Sequence, residues 1–365
     1  MSLDLHALVA ALKQWVLENG TVPTAAKFCA DTPGAHYALG KMGGYATLLD
    51  AAGFSKDQQG ARAKVRRMGR DELFPGKKPY TEKLIRQYTS LCAKVEKIQG
   101  FYRHVTDLKE LFARAGNPPS LKISAQPDTH VKYMDKAAVD CYLKFLAWYE
   151  PHVHIIMGDF VDCEGLSHWD AEDLAPRRIV PEMKSARDLL TRILEATPKC
   201  STRIYLEGNH EHWISKALLD MPELFEGLAE LDIDISLKSL LALEKFGYEL
   251  FPMNHLVQIG RAHFTHGIYA GTNHAKKHID VFKANIYYGH LHDCQESGQT
   301  SVDGPMEASS LGCLCKLDAK FLKGRPNNWV HAHGIFEFFP DGTYTFMKPK
   351  IIDGKMSFNG RVFAA

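Results

Sequence analysis

Nothing in this sequence approaches the roughly eighteen consecutive apolar residues that a membrane-spanning helix needs, and its N-terminus has no basic segment leading into an apolar block. With neither a span nor an export signal, the chain is expected in the cytoplasm and away from membranes. Zinc-finger spacing is missing too. The eight cysteines form no C-x-x-C pair, and Cys313-Leu314-Cys315 stands too close for ordinary finger geometry. They are expected to be reduced thiols, as in other cytosolic proteins. An excess of one charge is also absent. The 44 Lys and Arg offset 43 Asp and Glu to a net +1, so bulk electrostatics select no partner. With 45% hydrophobic and 24% charged residues, the composition excludes a disordered or fibrous chain and fits one large globular domain plus a smaller one.

The informative stretch is Ile155-Ile156-Met157-Gly158-Asp159-Phe160-Val161-Asp162, an apolar run that breaks at glycine and then delivers two carboxylates. Short apolar runs bounded by turn residues read as buried strands, and in open sheets ligands gather outside the carboxyl ends of strands. A buried strand ending in an acid suits a hard cation and does not tolerate an unpaired charge. The pattern recurs. Leu121-Lys122-Ile123-Ser124 leads to Asp128-Thr129-His130, and Arg203-Ile204-Tyr205-Leu206 leads to Gly208-Asn209-His210-Glu211. His263-Phe264-Thr265 leads to His266-Gly267, and Ile286-Tyr287-Tyr288 leads to Gly289-His290-Leu291-His292. Helical periods alternate with these strands over Asp135–Tyr149, Val180–Ala196, Lys216–Leu219 and His274–Phe282, which is the α/β pattern. Strands that each end in Asp, Asn or His predict a metal centre assembled from several loops.

Taken in order, D-x-H (128–130), G-D-x-x-D (158–162), G-N-H-E (208–211), H-G (266–267) and G-H-x-H (289–292) resemble the calcineurin-like metallophosphoesterase superfamily over residues 120–350. The resemblance implies a four-layer αββα sandwich that holds two divalent cations bridged by Asp159. One cation would take Asp128, His130, Asp159 and His292, and the other Asp159, Asn209, His266 and His290. Imidazole with carboxylate suits manganese, iron or zinc better than calcium or magnesium, and manganese is the expectation. His266 is preferred to His255, His263, His274 and His278 because it ends a strand and precedes glycine. By the same resemblance His210 is not a ligand but faces the substrate, with Asp162 holding its ring. His210 would protonate the leaving alkoxide while a hydroxide bridging the cations attacks in line. His331 and His333 read as core or edge residues, and Gly334–Phe346, with its Asp341-Gly342 turn, as a hairpin completing the second sheet.

A small all-helical domain is expected over residues 1–58. Leu5, Leu8, Leu12, Trp15 and Val16 fall at helical spacing before Asn19-Gly20, and short helices follow over Ala25–Phe28, Ala35–Met42 and Ala46–Ala52. The run N-G-T-V-P-T-A-A-K-F … Y-A-L-G-K-M-G-G-Y-A-T-L-L-D-A-A-G-F resembles the short DNA-binding repeat associated with homing endonucleases, over residues 5–54. Met42-Gly43-Gly44-Tyr45 stands where that repeat carries Phe-Gly-Ser-Trp. Residues 59–119 are expected to form a basic linker and bridging helices, and 120–365 the metallophosphoesterase domain. Over residues 60–105, twelve Lys and Arg face four Asp and Glu, including the run Arg62 to Arg70 and Lys77-Lys78. Beside a DNA-reading module, such a run supplies phosphate contacts.

Protein phosphatases of the superfamily extend the second motif to G-D-x-x-D-R-G and place an arginine before G-N-H-E. Here Cys163-Glu164 and Glu207 occupy those places, so a protein phosphatase is disfavoured. The expected activity is that of a phosphodiesterase or nuclease on DNA, with Trp169, Arg177 and Arg178 as candidate nucleic-acid contacts, and the pairing of modules fits a phage, prophage or mobile element. Two other readings stand beside it: hydrolysis of nucleotides or other small phosphoesters, and a non-catalytic DNA-binding scaffold.

Overall fold

The computed structural model describes residues 5–19, 23, 25–32, 35, 38–39, 45–52, 92–98, 101–166, 179–220, 233–302, 304–319, 322 and 324–365. The basic run 62–70, Lys77-Lys78, the segment 80–91, Met42 to Gly44, and His168, Trp169, Arg177 and Arg178 lie outside the described residues. The chain divides into two units, Met1–Gln87 and Tyr88–Ala365.

In the first unit, α1 (Leu5–Asn19), α2 (Ala25–Asp31) and α3 (Tyr45–Ala52) form where the 3.6-residue spacing places them. Leu8, Leu12 and Val16 repeat every four residues on one face of α1 and are buried with Phe28, Leu39, Leu48 and Leu49. Side-chain hydrogen bonds tie the short helices together. Trp15 Nε1 donates to Asp31 at 2.9 Å, and Tyr45 Oη donates to the Pro23 carbonyl at 2.8 Å.

The second unit is mixed α/β, with two large mixed sheets flanked by helices. Its strands are β1 (Cys92–Ile98), β2 (Phe101–Thr106), β3 (Leu121–Gln126), β4 (Val153–Ile156), β5 (Thr202–Leu206), β6 (Tyr248–Phe251), β7 (Leu256–Ile259), β8 (Ala262–Thr265), β9 (Asn285–Tyr288), β10 (Glu296–Ser301), β11 (Gly304–Ser310), β12 (Gly334–Phe338), β13 (Tyr344–Met347), β14 (Lys355–Phe358) and β15 (Arg361–Ala364). One sheet runs β13-β12-β3-β4-β5-β6, the other β1-β2-β7-β8-β9-β11-β10, and β14-β15 form a separate ribbon. The longer helices are α4 (Leu108–Arg114), α5 (Lys136–Tyr149), α6 (Ile179–Ala196), α7 (His212–Asp220) and α8 (His274–Phe282). Crossovers through α5 and α6 make β3, β4 and β5 parallel, and α8 does the same for β8 and β9.

The period-2 alternation of each strand decides its two environments. Ile123, Ile155 and Ile204 of the first sheet share one buried cluster with Val257, Phe264 and Tyr287 of the second. On the other face, Ile156 and Tyr205 pack with Phe145 of α5 and Leu189 and Leu190 of α6. Ile286 and Tyr288 likewise pack with Ala275 and Ile279 of α8. His333 is a buried core residue on the α5 side, against Tyr142 and Phe145.

Two expectations are corrected. The helical period proposed up to residue 115 holds only for α4. Residues 92–98 and 101–106 instead form β1 and β2, an antiparallel pair that continues the second sheet through β7, so the larger unit begins well before residue 120. Val95, Ile98 and Val105 are β-branched and Phe101 and Tyr102 aromatic, and pairing along β7 outweighs the weak helical period. The β12–β13 hairpin forms, but it flanks β3 in the sheet that holds the first motifs, with β12 antiparallel to β3.

A buried polar chain links this sheet to α5. Ser124 Oγ lies 2.9 Å from Tyr142 Oη, Tyr142 Oη 3.1 Å from His154 Nε2, and Tyr248 Oη 2.8 Å from His154 Nδ1. Burial pushes the His154 imidazole down to about 3, so it stays neutral and serves as one donor and one acceptor. Tyr142→Phe strands Ser124 Oγ and His154 Nε2, and should cost about 1–3 kcal/mol. Urea unfolding checks this, with a lower midpoint and an unchanged slope expected.

Candidate metal centre

The centre lies at the carboxyl ends of β3, β4 and β5 in one sheet and of β8 and β9 in the other, and hydrogen bonds from backbone amides lock the loops together. The Asp159 carbonyl accepts from the amides of Thr129 and His130 at 3.0 and 2.9 Å. The His210 amide donates to Asp159 Oδ1 at 3.0 Å, and the His290 amide to Asp128 Oδ1 at 2.8 Å. Two glycines make this approach possible. A Cβ on Gly208 would stand 2.2 Å from Asp159 Oδ1, and one on Gly289 would stand 2.3 Å from Asp128 Oδ2. Backbone strain is concentrated in the same loops. His130, Asp159, His290 and His292 all take the left-handed conformation, with φ of 42°, 46°, 70° and 63°. Such residues cost about 1–3 kcal/mol each and persist where surrounding structure holds them.

All nine residues expected at the site come together. Asp128, His130 and His292 present ligand atoms within 4.8 Å of one another, as do Asp159, His266 and His290, and also His130, Asp159 and His210. Asp128 and Asp159 are buried, and each faces imidazole: His292 Nε2 is 3.4 Å from Asp128 Oδ1, and His266 Nε2 is 3.3 Å from Asp159 Oδ2. Asn209 Oδ1 is 3.0 Å from His266 Nε2. The histidines passed over at the sequence level lie elsewhere in the hydrogen-bond pattern. His104 holds His255 at 2.7 Å, the Asn285 carbonyl holds His263 at 3.1 Å, and α8 carries His274 and His278.

The remote nitrogens test whether these residues fit cations. The Met157 carbonyl takes the Nδ1 hydrogen of His266 at 2.9 Å, and Asp162 Oδ1 takes that of His130 at 3.0 Å. Each Nε2 is then a lone pair. On His266 it points at two oxygens, and on His130 it points at His292 Nε2, 3.2 Å away. Lone pair against lone pair is repulsive unless a proton or a cation lies between. Burial pushes the His130 imidazole down, but the Asp162 hydrogen bond and the Asp159 charge overcome this and carry it up to about 9. His266 behaves alike: burial opposes the charge, the Asp159 carboxylate favours it, and the result is about 9. The carboxylates around both rings thus favour positive charge at the places that a divalent cation would take. His290 Nδ1, buried without a hydrogen-bond partner, is a further orphaned donor atom at the same site. The set fits two borderline cations such as manganese, iron or zinc.

One expectation is corrected in detail. The His210 ring is held through Nδ1 by the Asp162 backbone carbonyl at 2.7 Å, while the Asp162 carboxylate bonds His130 and stands 3.4 Å from His210 Nδ1. Glu182 of α6 accepts from the amides of Asp162 and Cys163, and Cys163 has a φ of 50°, which leaves that carbonyl facing His210. The ring also packs on Trp213, with centroids 4.4 Å apart.

The residue that motif reading passed over is Glu211. Its carboxylate accepts from the amides of Asp159, Phe160, Val161 and Gly208, at 2.9, 2.7, 3.2 and 3.0 Å, and from Tyr205 Oη at 2.7 Å. Only an ionised, acceptor-only carboxylate satisfies all those donors. Burial and then the Asp159 charge push it up to about 7, a cost that bound cations would offset. Its place beside His210 in G-N-H-E was the available signal.

No protein-family model matches this sequence. The chain is similar to the Gene 54 protein of Mycobacterium phage D29, with 25% identity over 271 residues covering 67% of this chain and 99% of that protein. It is also similar to the Gene 54 protein of Mycobacterium phage L5, with 24% identity over 264 residues covering 67% and 99%. Among the described residues, no helix is long and apolar enough to cross a membrane.

Two outcomes are expected. Glu211→Gln puts an NH₂ among converging donors and should weaken manganese binding about 10–100-fold, measured by titration calorimetry. Cation binding should displace protons from His130 and His266, so affinity should rise with pH and level off near about 9, with a binding enthalpy that depends on the buffer. A flat pH profile and a buffer-independent enthalpy would contradict the proton-for-cation exchange.

Proposed function

We propose that the chain is a dinuclear-metal phosphoesterase of the calcineurin-like superfamily with a four-layer αββα catalytic domain, and that it acts as a phosphodiesterase on DNA. One observation carries the reading: ligand-type side chains from five strand-end loops, contributed by two sheets, meet around Asp159 and Asp128. The arrangement of helices outside two sheets that share an apolar cluster is consistent with the four-layer reading.

Asp128, His130, Asp159 and His292 would hold one cation, and Asp159, Asn209, His266 and His290 the other. Bound there, the pair supplies Lewis-acid polarisation of a phosphoryl oxygen and a water that is nucleophilic at neutral pH. The chain's own contribution lies in orientation and proton transfer. His210 Nδ1 donates to the Asp162 carbonyl, so Nε2 is the nitrogen turned to the cluster, 3.9 Å from Asp159 Oδ2. With its side chain 23% exposed, it is more open than Asp128 or Asp159 and can meet a substrate. Burial holds the His210 imidazole below its usual range, so its resting form carries hydrogen on Nδ1 alone; as water attacks phosphorus opposite the leaving oxygen, the proton that Nε2 would deliver to that oxygen is the one the attacking water gives up. Trp213 and His130 pack on the ring, with centroids 4.4 and 4.7 Å from it.

DNA as substrate is supported by the helical N-terminal unit, by the excess of Lys and Arg over residues 60–105, and by the phage origin of the similar proteins. A manganese-supplemented panel of an aryl phosphodiester, cyclic nucleotides, and single-stranded and duplex DNA tests it. DNA should be cleaved. His210→Ala should lower turnover about 10²–10⁴-fold with metal retained, and Asp159→Asn should lose metal. DNA binding should weaken steeply with salt and disappear when residues 1–87 are removed. Intact DNA beside a consumed nucleotide would overturn the substrate. No hydrolysis by the metal-loaded protein would overturn the enzyme.

A further inference from the structure

The imidazole of His292 has two sides. Its Nε2 faces Asp128 Oδ1 and His130 Nε2, at 3.4 and 3.2 Å. Its Nδ1 faces away from them, toward Cys315 Sγ at 3.7 Å. The ligand atoms of His292, Cys313 and Cys315 lie within 4.8 Å of one another, and all three residues are buried. We propose that Cys313, Cys315 and His292 form a separate binding site for a thiophilic d¹⁰ cation, zinc, cadmium or copper(I), next to the oxygen- and imidazole-rich centre. The site is independent of whether that centre hydrolyses a phosphoester.

Spacing and softness both point this way. Zinc–sulfur bonds of about 2.3 Å and zinc–nitrogen bonds of about 2.0–2.1 Å at a tetrahedral angle put ligand atoms about 3.5–3.8 Å apart. The Cys315–His292 separation of 3.7 Å falls in that range. Thiolate selects soft cations, and manganese is poorly served by it. C-x-C is too close for a finger, yet both sulfurs lie within 4.8 Å of each other and of a nitrogen of His292, a ligand from another loop.

The segment is also fixed without a cation. The Gly312 amide donates to the Asp293 carbonyl at 2.8 Å, that of Cys313 to Val330 at 3.0 Å, and that of Leu314 to Asp128 at 2.7 Å. The Val330 amide in turn donates to the His292 carbonyl at 2.8 Å. The thiols are thereby anchored to the loops of Asp128 and His292, so little ordering cost remains for binding. Cys141 and Cys200 are set differently. Cys141 donates to the Phe363 carbonyl at 3.4 Å and Cys200 to the Thr202 carbonyl at 3.1 Å, which suits a small packed side chain.

Binding releases the two thiol protons and the Nδ1 proton to solvent, and His292 then bridges this cation and the one at Asp128. Each cation therefore alters the affinity for the other by the same factor.

The full-length protein, saturated with manganese, is titrated with cadmium while the ultraviolet spectrum is followed. A saturating sulfur-to-cadmium charge-transfer band is expected. After desalting, the wild type should retain one cadmium equivalent more than the Cys313→Ser/Cys315→Ser double variant. Wild-type cadmium uptake without a band, or an undiminished band in the double variant, would overturn the proposal. Cadmium NMR of the wild type decides without any variant, in case the double variant does not fold. A resonance of mixed two-sulfur and nitrogen coordination supports the site, and one of oxygen and nitrogen ligands alone excludes it.

Discussion

Two buried carboxylates, Asp128 and Asp159, impose the constraint on which the rest of this structure depends. Neither is exposed by more than 2%, and each raises the other's cost of ionisation. A charge so placed persists only if opposite charge and hydrogen-bond donors surround it. Here the surroundings are His130, His266 and His292, together with the amides of His210 and His290. Side chains from both sheets are needed to complete the set. The apolar cluster between the sheets therefore has a consequence beyond stability, because it sets the distance at which β8 and β9 present their histidines to β3, β4 and β5.

A graded support lies behind the candidate ligands. Glu211 gathers the amides of the Asp159 loop, Glu182 those of Asp162 and Cys163, and the remote nitrogens of His130 and His266 are tied to Asp162 and the Met157 carbonyl. Left-handed backbone at four candidate ligand positions, which would be unfavourable in isolation, is held by this network. Helix α8 extends the support to the second sheet. His278 accepts from the amides of Ile268 and Tyr269 beyond His266, while His274 bonds Asp293 beside His292. These contacts fix ligand rotamers through neighbours, which is how a site gains precision on loops.

Much of this is legible in sequence, for reasons that vary by element. Strands β3, β4, β5, β8 and β9 are short apolar runs cut off by an acid, an amide or a histidine, so their type and their chemistry are written in the same few residues. Helices α5, α6 and α8 follow from period, with Asp135 capping α5 through the Ala138 amide at 2.8 Å. The β1–β2 pair is not legible, because only β7, about 150 residues further along the chain, outweighs its helical spacing. Glu211 escapes because four of its five donors are backbone amides, which leaves its place in G-N-H-E as the signal. The Cys313–Cys315 segment escapes because its third neighbour, His292, lies in another loop. The role given to Asp162 divides between carboxylate and carbonyl for a similar reason: sequence names the residue, and backbone geometry decides which of its oxygens is used.

The central claim is that one shared carboxylate, Asp159, joins two cation sites. Anomalous diffraction at the manganese edge, from crystals grown with manganese, tests it directly. Two peaks about 3.5–4 Å apart are expected, one flanked by Asp128, His130 and His292 and the other by Asn209, His266 and His290, with Asp159 between them. A single peak, or peaks remote from Asp159, would contradict the account.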